Sequence, residues 1–319
     1  MTPQQYIQQH LEELKEFHPR EVAKENLAEE IVRLLLSKKF RKYAANEALI
    51  EHIKNAVALN IENNQPIKLT FPHGAYKLWR LKEAPLPDWA ELFTAMYYTK
   101  WLTPICEIYQ PGVWFDFYVD DFILDKMNNI PVEDTKAYVQ ENQNILDFLK
   151  QYQPKNLRIT ITPFSTICPS LDEFENALNV NIEKLSQTNP RFSKEDLEAV
   201  ELNAHPTPEQ LKDPQWKEKV RIIHDAYMRM KREIGYYYKP EKIPVFCQPI
   251  ASGKFVIVGT TKTSIAKFWV GIGVLKKIAD GYIEYILSPK QIKSHTLTKE
   301  AIEIKGLASK NFKTINTFS

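Results

Sequence analysis

A chain of 319 residues with 44% hydrophobic and 26% charged side chains is long enough for one large domain with a smaller annex, and apolar enough to bury a full core. The net charge is only +2, so bulk charge asks for neither nucleic acid nor an anionic membrane. The N-terminus has no basic leader before an apolar core, no run reaches the ~18 apolar residues of a spanning helix, and Cys106, Cys168 and Cys247 lie far apart with no C-x-x-C pair; these features predict a soluble cytoplasmic protein without a disulfide framework or a zinc site.

Nine glycines are under half of the usual ~7% share. Folds that hold nucleotide phosphates spend glycine where backbone must approach the ligand. No G-x-x-x-x-G-K-S/T occurs, and the one G-x-G, Gly271-Ile-Gly273, lies in an apolar strand-like run. A P-loop and the usual dinucleotide fingerprint are therefore not expected.

Residues 1–62 read as a helical segment, with a dense amphipathic stretch through Ile31–Leu36 and a second helix over Ala45–Ile61. The basic run Lys38–Lys42 reads as a solvated helix end, where cations suit the negative pole of the dipole. Pro66–Phe71 is the first strand, ended by Pro72-His73-Gly74. Pro87–Ile108 is a helix opened by proline, with Pro104 expected to kink or shorten its last turn. Val113–Val119 is a β-branched and aromatic strand, Asp134–Tyr152 a helix, and Leu157–Thr162 a third strand. Strand, helix, strand, helix, strand at these spacings predicts right-handed crossovers and a parallel sheet.

Helices follow over Leu171–Ser186, Ser193–Asn203 and about Gln215–Tyr237, the last with a stripe of apolar residues read as core packing. From Ile243 the pattern turns β again, through Pro244–Cys247, Lys254–Gly259, Phe268–Leu275 and Tyr282–Leu287, with Asp280-Gly281 as a hairpin turn. Residues past about 306 are polar and read as a frayed tail. The predicted architecture is an α/β, Rossmann-like parallel sheet with flanking helices and a β-rich C-terminal part: a helical segment over 1–62, a core with helical extension over 63–240, the β-rich part over 241–305 and a tail over 306–319.

Ligands of open parallel sheets bind beyond the carboxyl ends of the strands. Three segments stand there. The loop after the first strand carries His73, which exchanges a proton near neutral pH, Lys77 and Arg80, which neutralise phosphate or carboxylate, and the aromatic Tyr76 and Trp79. The same residues also fit a helix-start loop with surface cations. Asp120 and Asp121 follow the second strand; adjacent carboxylates point apart, so one is expected to face the pocket and Asp121 to cap. Thr162–Thr166 follows the third strand, where hydroxyls usually cap. No metal-spaced His/Asp/Glu cluster, H-E-x-x-H or G-x-S-x-G is present, so hydrolase and metalloprotease readings fall away.

Pro66–Pro72, a lysine-bearing loop, a helix, Tyr109-x-Pro111-Gly112 and a strand ending in Asp120 resemble the isocyanide (isonitrile) synthase family of pyoverdine and dityrosine biosynthesis. That family shows a strand entering Phe-Pro-x-Lys-Ser, then Tyr-x-Pro-Gly-Ala, an alternating strand and Ser-Asp-Gly. The similarity covers about residues 45–160. In place of the family's loop lysine and serine, this chain reads on through His73-Gly74, with Lys77 the nearest lysine, and Ser-Asp-Gly becomes Val119-Asp120-Asp121. Near the C-terminus, Ala266–Trp269 echoes the family's Thr-Pro-Trp-His without the histidine. The chain thus resembles a divergent branch.

The resemblance implies a Rossmann-like transferase or lyase of secondary metabolism. Its small-molecule substrates would be an amino acid, whose amine is condensed, and ribulose 5-phosphate, whose ketone carbon ends as the isonitrile carbon. It implies no redox cofactor; no metal site is expected from the spacing, although the Asp120–Asp121 pair could by its residue types share a proton or bind a divalent ion. Lys77 and Arg80 are then expected to hold the phosphate, His73 and Asp120 to carry protons or the amine, Asp121 to assist in substrate binding, and Tyr76 or Trp79 to stack on substrate. Two other readings stay open: a different carbon–nitrogen bond-forming enzyme on the same fold, and a non-catalytic binding or interaction protein on an inherited scaffold.

Overall fold

The computed structural model describes residues 1–41, 43–74, 86–167, 170–204, 206–234, 239–247, 253–259, 271–287, 291, 304, 306–307 and 312–315. The N-terminal helices are α1 (Pro3–Glu13), α2 (Leu27–Leu35) and α3 (Glu47–Glu62). Then come β1 (Ile67–His73), α4 (Trp89–Ile108), β2 (Val113–Val119), α5 (Ile123–Asn128), α6 (Val132–Leu149) and β3 (Leu157–Pro163). The long excursion that follows holds α7 (Leu171–Gln187), α8 (Lys194–Asn203), α9 (Pro208–Leu211) and α10 (Trp216–Ile234). The C-terminal part gives β4 (Lys242–Phe246), β5 (Val256–Ile257), β6 (Ile272–Ile278), β7 (Gly281–Leu287) and β8 (Lys313–Ile315).

Five strands form one parallel sheet in the order β3-β2-β1-β4-β5. The chain order reverses between β1 and β4, which makes the carboxyl ends there the expected binding crevice. Strand period two splits the sheet residues between two faces. Leu69, Phe71, Phe115, Phe117 and Ile159 face α4 and α6 and are buried with them, Tyr98 stacking on Phe115 at 4.6 Å. Each such side chain contributes roughly 1.5–3 kcal/mol by leaving water. The second face is polar. It carries Trp114, Asp116 and Tyr118 of β2 beside Arg158, Thr160 and Thr162 of β3. The buried Asp116 carboxylate accepts from the Thr160 and Thr162 hydroxyls at 2.6 and 2.7 Å, and Trp114 Nε1 donates to Thr160 at 2.8 Å. Near its carboxyl end this face is covered by α7 and α10, where Tyr118, Phe164, Phe174, Ala226, Tyr227 and Met230 form a second core.

Helix starts follow their caps. Asp88 and Glu91 make a capping box on α4, and Asn46 and Ser170 cap α3 and α7. α4 runs through Pro104 to Ile108 rather than ending there.

Three expectations are corrected. β4 and β5 extend the parallel sheet instead of joining a separate β-rich part. The helix α5 stands where no helix was expected. Part of the expected tail is ordered: β8 pairs parallel with β6, and Phe312 packs on Trp89 at 4.2 Å with 1% of its surface exposed. One buried aromatic ring outweighs the polar surroundings that suggested fraying. The second sheet, β7-β6-β8, is tied to α4 by the Gly273 N–H, which donates to Asp88 Oδ1 at 2.9 Å. No described helix is long and apolar enough to cross a membrane.

Candidate functional site

The backbones of β1 and β2 end side by side, the Asp120 N–H donating to the His73 carbonyl at 3.2 Å. Their side chains part company there. His73 shares the face of Phe71 and Phe117, and Asp120 continues the alternation of Tyr118 toward α10.

His73 is 1% exposed. Its Nδ1 meets the Gly74 carbonyl, and its Nε2 lies 3.2 Å from the Asn142 amide of α6. This arrangement fits the Nδ1–H tautomer. The ring stands edge-on to Phe117 and beside Tyr138, whose hydroxyl donates to Glu91 Oε1 at 2.9 Å. The void bounded by His73, Glu91, Phe117 and Asn142 measures ≈ 10 Å³, room for one water at most. Burial and the adjoining Glu91 push the Tyr138 hydroxyl well above its ordinary value. The imidazole thus belongs to a buried polar network that joins β1, α4 and α6.

Asp120 has a different setting. Oδ1 accepts from the Tyr227 hydroxyl at 2.6 Å and from Lys231 Nζ at 2.7 Å, both on α10. Oδ2 takes no bond among the described residues, and the side chain is 22% exposed. The Lys231 side chain is 3% exposed, its ammonium 5.0 Å from the Tyr118 ring centre and 4.9 Å from that of Tyr227. Burial pulls the Lys231 pKa below its ordinary value, against the opposing pull of Asp120. Asp121 turns to the end of β3, accepting from the Ser165 N–H at 3.1 Å and from the Ser165 hydroxyl. Burial raises the Asp121 carboxyl, the Ser165 bonds lower it, and Asp120 adds a smaller upward push. It ties β2 to the turn after β3 instead of capping the following helix, whose first turn has no side-chain cap.

Of the seven residues singled out from sequence, the structure brings Asp120 and Asp121 to the carboxyl edge on the α10 side and puts the His73 imidazole on the other face. Tyr76, Lys77, Trp79 and Arg80 lie outside the described residues, as does Ala266–Trp269.

No family model matches the chain, and no curated protein matches it. Among solved structures, it is similar to the PvcA protein from Pseudomonas aeruginosa, with a TM-score of 0.60 at 14% sequence identity, over 90% of this chain and 99% of that one. The chain has the fold of PvcA.

Against that shared fold, the two motifs of the resemblance divide by role. Tyr109-x-Pro111-Gly112 sits at the amino ends of the strands, away from the crevice. The Tyr109 hydroxyl donates to the Gln65 carbonyl at 2.7 Å, and the Ile67 N–H donates to the Gly112 carbonyl at 3.0 Å. Gly112 has φ +73, and a Cβ there would fall 1.9 Å from the Asn156 carbonyl oxygen. This motif sets the alignment of three strands; the segment ending at Asp120 lies at the opposite, carboxyl edge of the sheet, one strand from the β1–β4 switch. A concavity of ≈ 900 Å³ also lies at the amino ends, lined in part by Lys15, Arg20, Tyr109, Tyr152 and Asn156. Its polar floor is engaged in the scaffold, with the Asn156 amide donating to the Cys106, Tyr109 and Gln110 carbonyls. The carboxyl edge, though less hollow, is where parallel sheets present reactive groups. Sequence reading missed Lys231 and Tyr227 because they fall on the helical stripe of α10 that reads as core. The one signal was a lysine following Tyr227 by a helical turn, on the same face.

Proposed function

We propose that this chain is an isonitrile-synthase-like enzyme that condenses an amino-acid amine with the ketone of a sugar phosphate of the ribulose 5-phosphate class. The observation that carries the reading is Asp120, placed at the carboxyl edge of a PvcA-like sheet with one oxygen held by Lys231 and Tyr227 and the other open. Condensation needs an acceptor for the protons that the amine sheds as it attacks the ketone. Asp120 Oδ2 takes that part. A carboxylate fixed by two donors keeps its direction while the substrate turns over.

In this reading Lys77 and Arg80, in the loop that leaves β1, hold the phosphate, and Tyr76 or Trp79 stacks on the amino-acid side chain. In this reading His73 keeps β1 against α6 rather than moving protons: both ring nitrogens are engaged, and the void beside it among the described residues is only ≈ 10 Å³. Asp121 shapes the floor through Ser165.

The test is mass spectrometry of the purified chain with ribulose 5-phosphate and a panel of amino acids. The expected result is an amino-acid-derived product that carries the ketone carbon of the sugar and is lost in Asp120→Asn. No sugar-phosphate-dependent product with any amino acid would remove the proposal. The absence of the family's loop lysine and serine favours, as second reading, another carbon–nitrogen bond-forming reaction on the same fold; it would appear in this assay as a product without the isonitrile.

A further inference from the structure

A lysine buried at the carboxyl edge of a parallel sheet is costly. Withdrawing an ammonium from water costs several kcal/mol, and an unbranched apolar chain such as methionine would fill the same volume. Lys231 is nevertheless placed there, 2.7 Å from Asp120 Oδ1, between the faces of Tyr118 and Tyr227 and with the Tyr227 hydroxyl 2.6 Å from the same oxygen. An amine, a carboxylate and a phenol are thus in mutual reach, the carboxylate being 22% exposed and the amine side chain 3%. This is the chemical set needed to make and break a carbon–nitrogen double bond.

We propose that Lys231 is an imine-forming lysine, whose Nζ bonds to the carbonyl carbon of the sugar-phosphate substrate before the amino-acid amine displaces it. The inference rests on the preceding reading that a ketone is one of the substrates. Asp120 first takes one proton from the ammonium. The freed Nζ lone pair then forms the N–C bond as the carbonyl π pair moves to oxygen. Proton transfers from nitrogen and from Asp120 convert that oxygen into water, which leaves as C=N forms. The sum is a condensation, one amine and one ketone giving one imine and one water, with no change of oxidation state. Addition of the amino-acid amine to the same carbon, with Asp120 Oδ2 accepting its proton, expels Lys231 and leaves the substrate imine. Burial in an aromatic surround favours the free-amine form that the first step uses, and so supports the assignment.

The experiment treats the full-length chain with ribulose 5-phosphate and sodium cyanoborohydride, which reduces an imine to a stable secondary amine. The expected result is a mass increase of one reduced sugar phosphate, mapped by peptide analysis to Lys231, diminished when a turnover-competent amino acid is added. Lys231→Arg, which keeps a cation beside Asp120, is expected to lose the adduct and the product together. Because the adduct is mapped in the wild-type chain, the result does not depend on the folding of the variant. Product formed without an adduct at Lys231 overturns the lysine step and leaves the condensation standing. An adduct without an amino-acid-dependent product keeps the lysine step and removes the condensation. Neither adduct nor product removes both.

Discussion

Asp120 is an asymmetric carboxylate: α10 supplies two donors to Oδ1 and the described residues supply none to Oδ2. This asymmetry carries a stability consequence separate from chemistry. Asp120→Ala removes the ion-pair partner of a Lys231 whose side chain is 3% exposed and is expected to cost about 3 kcal/mol, the lower end for breaking a buried pair, since Asp120 is itself partly solvated. Asp120→Ala with Lys231→Met should recover most of the loss in a urea-unfolding double-mutant cycle; additive losses would show that the two do not interact. Gly112→Ala is expected to lower stability by at least ~1–3 kcal/mol, because φ +73 and the Asn156 carbonyl both exclude a side chain; unchanged thermal unfolding would contradict the assigned turn. Residue type made Asp120 legible in the sequence, as the carboxylate after an alternating strand. It did not reveal His73's direction: read as part of the loop after Phe71, His73 is instead the last residue of β1, and strand parity puts its side chain on the face of Phe71, away from Asp120. Lys231 was illegible because a buried lysine and a core stripe occupy the same helical positions.

The elements carry the register that brings these residues together. α4 is held at its start by Asp88 and Glu91, and Asp88 also receives the Gly273 N–H of β6. A Cβ at Gly273 would fall 2.2 Å from the Ala90 nitrogen, so Gly273→Ala is expected to loosen the second sheet from α4. Faster amide exchange in β6 and β7, with β1–β3 unaffected, is the readout; uniform exchange rates would count against this docking. β7 also bears a pH-sensitive group. Glu284 is raised to about 7, chiefly by burial, with Lys100 opposing and Glu13 adding. Its ordinary value is 4.5, so the folded chain keeps a proton that the unfolded chain sheds through that window. Stability therefore falls as pH rises from 4.5 to 7, and a penalty of up to ~3 kcal/mol stands above 7. Glu284→Gln should raise the unfolding temperature at pH 8 and much less at pH 5; an equal difference at both would overturn the assignment. Most element positions were legible in the apolar periodicity and the caps. β8 was not, since three residues held by pairing and one buried phenylalanine leave no periodic pattern.

At the scale of the molecule, a parallel sheet with an apolar face under α4 and α6 and a polar face under α7 and α10 places its reactive edge on the α10 side. The alternation of strands and helices in the first half announced the parallel sheet. The joining of β4 and β5 to it was hidden, because pairing across a helical excursion from β3 to β4 has no local signature. The carboxyl edge around Asp120 and the hollow at the amino ends around Tyr109 and Tyr152 are rival locations for ligand. Hydrogen–deuterium exchange of the full-length chain, with and without ribulose 5-phosphate and the amino-acid panel, separates them. The account predicts protection of residues 118–122 and 224–231 on ligand addition; protection confined to residues 15–22 and 151–156, with the edge unchanged, would contradict it.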